Sequence, residues 1–470
     1  MIKNYIKELI LKEFAFSPTD GQQRAIDSLA SLVADDEIDY ILKIQGYAGT
    51  GKTSLLAAFV KVMNAMGLKY ELLGPTGRAA KVLSAYSGGN ALTIHKKIYR
   101  QKTADDYLAK FTLDRNLANG TIFIVDEASM ISDSSYESNF FGSGNLLDDL
   151  VTYVKAGKGC KLIVVGDSAQ LPPVGKDSSP ALDKRALSRF ADVEEVWLKE
   201  VVRQAADSGI LDNATALRMM IEEERIELPL FNSDGFVDIE KISGGDLIEK
   251  ISDTYDSVGI ENTMIVCRSN KLANRYNTGI RNRILYREEE LVRGDLLMVV
   301  RNSYFWTEGF KELDFVANGD IVEVVRIRKY YERYGFRFAE VTVRLIDYGD
   351  LEMDCYILLN TLMSDSAALN QEESKSLFYQ VAEDYAHIAS KKKRYKEMRS
   401  DPFFNALQVK YANAVTCHKA QGGQWNTVFV DQGYFVEDMI SKEYLRWLYT
   451  ALTRATEKVY LVNFPDKCFK

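Results

Sequence analysis

Eight residues, Gly46-Tyr47-Ala48-Gly49-Thr50-Gly51-Lys52-Thr53, have the types and spacing of a polyphosphate cradle. The pattern is G-x-x-x-x-G-K-T, whose glycines let backbone N–H groups turn inward on an anion at the positive end of the next helix. Gly46, Gly49, Thr50 and Gly51 shape the loop; Lys52 reaches the β- and γ-phosphates, and the Thr53 hydroxyl holds a magnesium ion. A second set is the carboxylate pair Asp126-Glu127, directly after the apolar run Ile122-Phe123-Ile124-Val125. Two charges at the end of a strand buried on both faces are a poor choice for packing. They suit a site in which Asp126 binds magnesium and Glu127 orients and activates a water. Gln170 stands in the segment after a further apolar run, Lys161 to Val165, at the same edge. Gln22 stands one helix upstream of the loop, and its amide can pair with a donor and an acceptor on adenine. Taken alone, Gln22 reads as a solvated helix residue; its place one helix upstream of the phosphate loop is what favours the adenine reading.

The elements that must hold these groups follow from pattern. Tyr40 to Gln45 is a short buried strand, and Ser54 to Met66, without Pro or Gly, is a helix. Thr19 or Asp20 caps a helix through Leu32. Leu68 to Gly74 and Lys161 to Val165 are further strands, each followed by a polar segment. Alternating strands and helices with reactive groups at strand ends specify a doubly wound α/β sheet. The helix opened by Thr76, Arg78 and Lys81 is either a grip for an anionic backbone or a charged surface face. Thr93 and His95 follow, then a polar insert near 97–120 carrying Tyr107 and Phe111.

A second series of α/β units begins at Met264. From Phe315 to about Leu359 the period falls to two, as in a small β-barrel. The segment from Ser364 to Met398 turns helical and charged; its Lys391-Lys392-Lys393-Arg394 run reads as a solvated face. The expected division is a first domain at 1–195, a second at 196–315 and 405–470, and a β-barrel and helical insertion at 316–404.

Composition narrows the function. No run of 18 or more apolar residues occurs, so no spanning helix is expected and no membrane partner. Five scattered cysteines lack metal-site spacing and suit a reducing cytoplasm. A net charge of −8 argues against coating nucleic acid by bulk charge, but not against binding a strand in a local groove.

The ordered set of motifs resembles the superfamily 1 DNA helicases of the RecD- and Dda-like branch. It comprises the phosphate loop, Gly74-Pro75-Thr76-Gly77-Arg78-Ala79-Ala80-Lys81, Asp126 to Met130, Gly166 to Val174, Thr416-Cys417-His418-Lys419-Ala420-Gln421-Gly422, and Tyr449-Thr450-Ala451-Leu452-Thr453-Arg454-Ala455. The resemblance implies two RecA-like domains, with ATP and Mg2+ in the cleft between them and an SH3-like barrel inserted in the second. It assigns Gln22, Gln421 and Gly422 to the nucleotide and makes Gln170 a sensor of the γ-phosphate. Arg203 and Arg454 would stabilise the transferring phosphoryl group. Thr76, Arg78, Thr93, His95, Thr416, His418 and Lys419 would face single-stranded DNA. The insert falls where the family carries a strand-separating pin, so Phe111 and Tyr107 either stack on the last base pair or pack the insert. The implied activity is a 5′-to-3′ ATP-dependent helicase; an ATPase translocase that remodels protein–DNA complexes is the alternative. The implied partners are single-stranded DNA, its junctions with duplex, and a single-stranded-DNA-binding or replisome protein. The implied setting is a monomer in a bacterial or phage-infected cytoplasm.

Overall fold

The computed structural model describes residues 2–14, 17–35, 37, 39–101, 111–133, 142–201, 207–307, 310, 313 and 315–470. The first strands are β1 (Ile41–Gly46), β2 (Tyr70–Gly74), β3 (Ala91–Thr93), β4 (Tyr99–Gln101), β5 (Phe111–Leu113), β6 (Ile122–Val125), β7 (Lys161–Gly166) and β8 (Val193–Leu198). Six of them form a parallel sheet in the order β3-β2-β6-β7-β1-β8. Every residue of β1, β6 and β7 is buried, as expected of strands covered on both faces. Alternation sorts their side chains: Leu42, Ile44, Ile163 and Val165 join one apolar cluster, and Ile41, Leu162 and Val164 the other. Parallel pairing brings the C-terminal ends of β1, β6 and β7 to one edge, which is where the phosphate loop, Asp126 and Asp167 begin.

Next come β9 (Ile239–Ile242) and β10 (Thr263–Cys267), then β11 (Leu296–Val299), β12 (Ile321–Arg333), β13 (Phe336–Leu345), β14 (Leu351–Leu358) and β15 (Leu407–Tyr411). The last three are β16 (Ala414–Thr416), β17 (Trp425–Asp431) and β18 (Ala455–Val462). A second parallel sheet runs β16-β10-β17-β18-β9, and β11 to β15 close into a barrel with its own apolar filling. The chain is thus α/β, with two doubly wound sheets and a barrel between strands of the second.

Two boundaries differ from the sequence reading. Strand β8 pairs with β1 along its whole length, so the first sheet runs past 195 to Leu198. The barrel takes in Leu296–Val299 and Leu407–Tyr411, so the insertion is wider than 316–404. Its strands β12 and β13 pair as far as Arg333 and Phe336. The two sheets meet through a shared core. Tyr47, Ala169 and Leu171 of the first half cluster with Leu217, Tyr449 and Leu452 of the second.

Candidate nucleotide and nucleic-acid sites

The loop after β1 turns through left-handed backbone at Gly49 (φ 74°) and Gly51 (φ 79°), a conformation that costs glycine little. The helix Lys52–Ala65 starts at its end. Gly46 is constrained differently: a Cβ there would sit 2.8 Å from Thr50 Oγ1 and 2.9 Å from Lys52 Cγ. The Lys52 ammonium donates to the Gly46 carbonyl at 2.6 Å and the Tyr47 carbonyl at 2.9 Å, so it lies within the loop. Thr53 is exposed at the first turn of the helix. Gln22 is buried, accepts from the Thr19 N–H at 2.9 Å and donates to the Thr50 carbonyl at 3.0 Å. Its amide therefore ties the upstream helix cap to the phosphate loop.

Across the sheet edge, Asp126 accepts from the Tyr86 hydroxyl and from the Glu127 N–H. Burial, and then the neighbouring Glu127 charge, push its carboxyl above the usual range. Such a carboxylate gains from a nearby cation. Mg2+ takes hard oxygen ligands, commonly one or two protein groups completed by phosphates and waters, so Asp126 and the Thr53 hydroxyl fit it as a donor set. Glu127 holds a left-handed backbone (φ 52°), a strained state for a residue with a Cβ. Arg454, almost fully buried, brings Nη1 to 4.0 Å from Glu127 Oε1. It donates to the Thr450 and Gly423 carbonyls at 3.1 and 3.2 Å, which fixes its aim across the interface. Gln170 is buried, and its Oε1 makes no hydrogen bond among the described residues. Arg203 lies outside the described residues.

The DNA candidates come together. Thr76, Arg78, Thr93, His95, Thr416, His418 and Lys419 all line one open cavity of about 850 Å³ that draws walls from both halves and the barrel. Thr76 and Thr93 are also N-caps, accepting from Ala79 N–H at 3.2 Å and Lys96 N–H at 3.1 Å. They thereby place two helix N-termini at the cavity, although the second helix is short. Arg78 stacks on Trp425, 4.1 Å from the ring centroid, so one face of its guanidinium is committed to the second half. Burial lowers both histidines, His95 to about 4, and makes them neutral hydrogen-bonding groups at pH 7. Lys419 differs: its Nζ is buried, has no hydrogen-bond partner among the described residues, and is lowered to about 8 by burial and then by Lys410.

Three expectations are corrected or displaced. Gln421 lines this cavity and donates to the Leu171 carbonyl at 2.7 Å, and a Cβ on Gly422 would meet Ala79 Cβ at 3.1 Å. Gln421 therefore sits against the segment after β7, and Gly422 against the start of the helix Gly77–Ser87. Lys81 donates to the Ile346 carbonyl of the barrel, so it holds two domains together. Phe111 pairs with Gln101 at the loop end of the β4–β5 pair, with its ring 4.4 Å from that of Tyr304, so its ring is used in packing. Tyr107 lies outside the described residues.

Sequence reasoning missed Lys271, Asn302, Phe315 and Asn318, which also line the cavity, and gave no role to Arg268 and Asn270, which do as well. The place of Arg268 and Asn270 just beyond a parallel strand's C-terminal end was the available signal. Tyr449 was read only as part of a motif and given no role; its hydroxyl accepts from Ala48 N–H at 2.8 Å and donates to Asp167 at 2.6 Å.

Comparison with known proteins agrees with this geometry. An AAA domain model matches residues 18–239, and a UvrD-like helicase C-terminal domain model matches residues 411–462. The ATP-dependent DNA helicase dda of Enterobacteria phage T4 is 24% identical over 444 residues, covering 88% of this chain and 92% of that protein. An uncharacterised protein of Methanocaldococcus jannaschii is 23% identical over 94% of this chain, which spans 38% of its length. The ATP-dependent RecD2 DNA helicase of Deinococcus radiodurans is 30% identical over 38% of this chain, a match that covers 21% of that protein. Fold and site together define a phosphate-loop protein of two RecA-like domains. Within that class, the chain is similar to ATP-dependent DNA helicases, in keeping with the superfamily 1 resemblance of its motifs.

Proposed function

We propose that this chain is an ATP-dependent DNA helicase that moves 5′ to 3′ along single-stranded DNA and parts a duplex ahead of it. One observation carries the reading. The phosphate loop, Glu127 and Arg454 converge across the domain interface, while the seven DNA candidates line a single cavity built from the same two domains. Such an arrangement lets closure on nucleotide alter the grip on a strand.

In this reading the phosphate loop holds ATP, with Lys52 turning from its own loop's carbonyls to the β- and γ-phosphates. Thr53 and Asp126 would hold a magnesium ion, which would supply charge neutralisation at the phosphates. Glu127 orients the attacking water, and Arg454 supplies positive charge as the γ-phosphoryl group transfers. Thr76, Thr93 and Thr416 grip the strand from two domains in turn, and Lys419 meets a phosphate. The 5′-to-3′ direction rests on the branch and not on any single side chain. The protein acts as a monomer at junctions of single and double strands in the cytoplasm. Hydrolysis measured with and without oligo-dT tests the core of this: strong stimulation is expected, and equal rates would remove DNA from the reaction.

A further inference from the structure

A set of hydrogen bonds crosses the domain interface between the phosphate loop and the DNA cavity. At one end, the buried Tyr449 hydroxyl takes the Ala48 N–H at 2.8 Å and gives its own proton to Asp167 at 2.6 Å. The other Asp167 oxygen accepts from Ala169 N–H at 2.9 Å, which fixes the segment leading to Gln170 and Leu171. At the other end, Leu171 N–H donates to the Thr450 hydroxyl at 2.9 Å, and the Leu171 carbonyl accepts from Gln421 at 2.7 Å. Gln421 lies two residues from Lys419, and both line the cavity.

Adjacent residues of one helix, Tyr449 and Thr450 on Lys442–Leu452, therefore hold both ends of the segment after β7. Tyr449 and Thr450 are fully buried. A buried donor or acceptor left unpaired is costly, so a shift of the loop at Ala48 is opposed unless its partners follow. Packing alone does not require the Tyr449 oxygen, since the ring already fills the shared core.

We propose that Tyr449 is a positioning residue that makes nucleotide turnover answer to DNA, its hydroxyl tying the phosphate loop to the Asp167–Leu171 segment that Thr450 and Gln421 connect to the strand-binding cavity. The inference rests on the ATP-motor reading. It is also a claim about physical coupling, so it needs a coupling measurement and not a map of contacts.

The test is Tyr449→Phe, which removes one oxygen and keeps the ring. Hydrolysis without DNA should stay within about twofold of the parent, while the fold-stimulation by oligo-dT drops to about a tenth or less. The ratio of oligo-dT affinities with and without a non-hydrolysable ATP analogue should fall toward one. Thr450→Val should copy both effects and Thr450→Ser should restore them, which decides the matter even if Tyr449→Phe fails to fold. Parent-like stimulation and affinity ratio in the Phe variant would overturn the proposal. So would a fall of both rates together with the ratio kept, the pattern of a merely structural residue. A parent protein that DNA does not stimulate would instead overturn the motor reading itself.

Discussion

At the scale of single residues, the informative groups are those whose surroundings contradict ordinary packing. Glu127 sits in a strained backbone with a buried arginine aimed at it from the other domain. Glu127→Gln should therefore bind ATP normally yet turn over about 10²- to 10⁴-fold more slowly, the usual loss for a general base; an isotherm and a phosphate-release assay read the two separately. Lys419 keeps a buried ammonium with no hydrogen-bond partner among the described residues, which costs stability, and a DNA phosphate would supply the missing charge. Lys419→Met is expected to raise the melting temperature while weakening oligo-dT binding about tenfold, the 1.4 kcal/mol scale of one charge-assisted contact. The sign with pH follows: burial lowers this lysine to about 8 in the free protein, and a phosphate raises it again. Strand binding should then take up a proton above pH 8 and weaken as pH rises, a slope that Lys419→Met removes. The phosphate loop and the Asp126-Glu127 pair were legible in the sequence because their chemistry is local. The role of Tyr449 was not, because both of its partners are hundreds of positions away and an aromatic inside a motif reads first as core.

At the scale of elements, the strands that carry the nucleotide groups were readable because a parallel strand covered on both faces leaves an unbroken apolar run. The same property hid the barrel's limits. All of β15 and most of β11 are buried, so local pattern cannot say which sheet they join. Likewise β8 lies at the first sheet's edge, where a domain boundary drawn from a change of character falls a few residues short. The β4–β5 hairpin is the element whose role changes most. Its loop end is held by Phe111 on Tyr304, whose ring centroid lies 4.9 Å from that of Phe315 at the cavity wall. Phe111→Ala and Tyr304→Ala should therefore both reduce strand separation severalfold while leaving DNA-stimulated hydrolysis near the parent's rate, since a loosened hairpin need not slow the motor. A gel assay of strand displacement beside a steady-state ATPase assay checks this. Equal unwinding in both variants would confine Phe111 to packing.

At the scale of the whole molecule, two sheets that each follow the same α/β logic become one machine through their interface. The phosphate loop's Tyr47 is buried in a core otherwise built largely from the second domain, and Arg454 and Tyr449 reach back toward the first. No composition or period announces such an interface, because it is specified by pairs distant in sequence; the ordered motifs implied it only through resemblance. The central claim is that hydrolysis in this cleft drives the chain along a strand and parts the duplex it meets. It is tested most directly by strand displacement from matched partial duplexes carrying a 5′ tail, a 3′ tail or no tail, each with and without ATP. The account predicts ATP-dependent release from the 5′-tailed duplex and little from the blunt or 3′-tailed ones. Release from none of them, while single-stranded DNA still stimulates hydrolysis, would contradict it and leave a translocase that walks without unwinding.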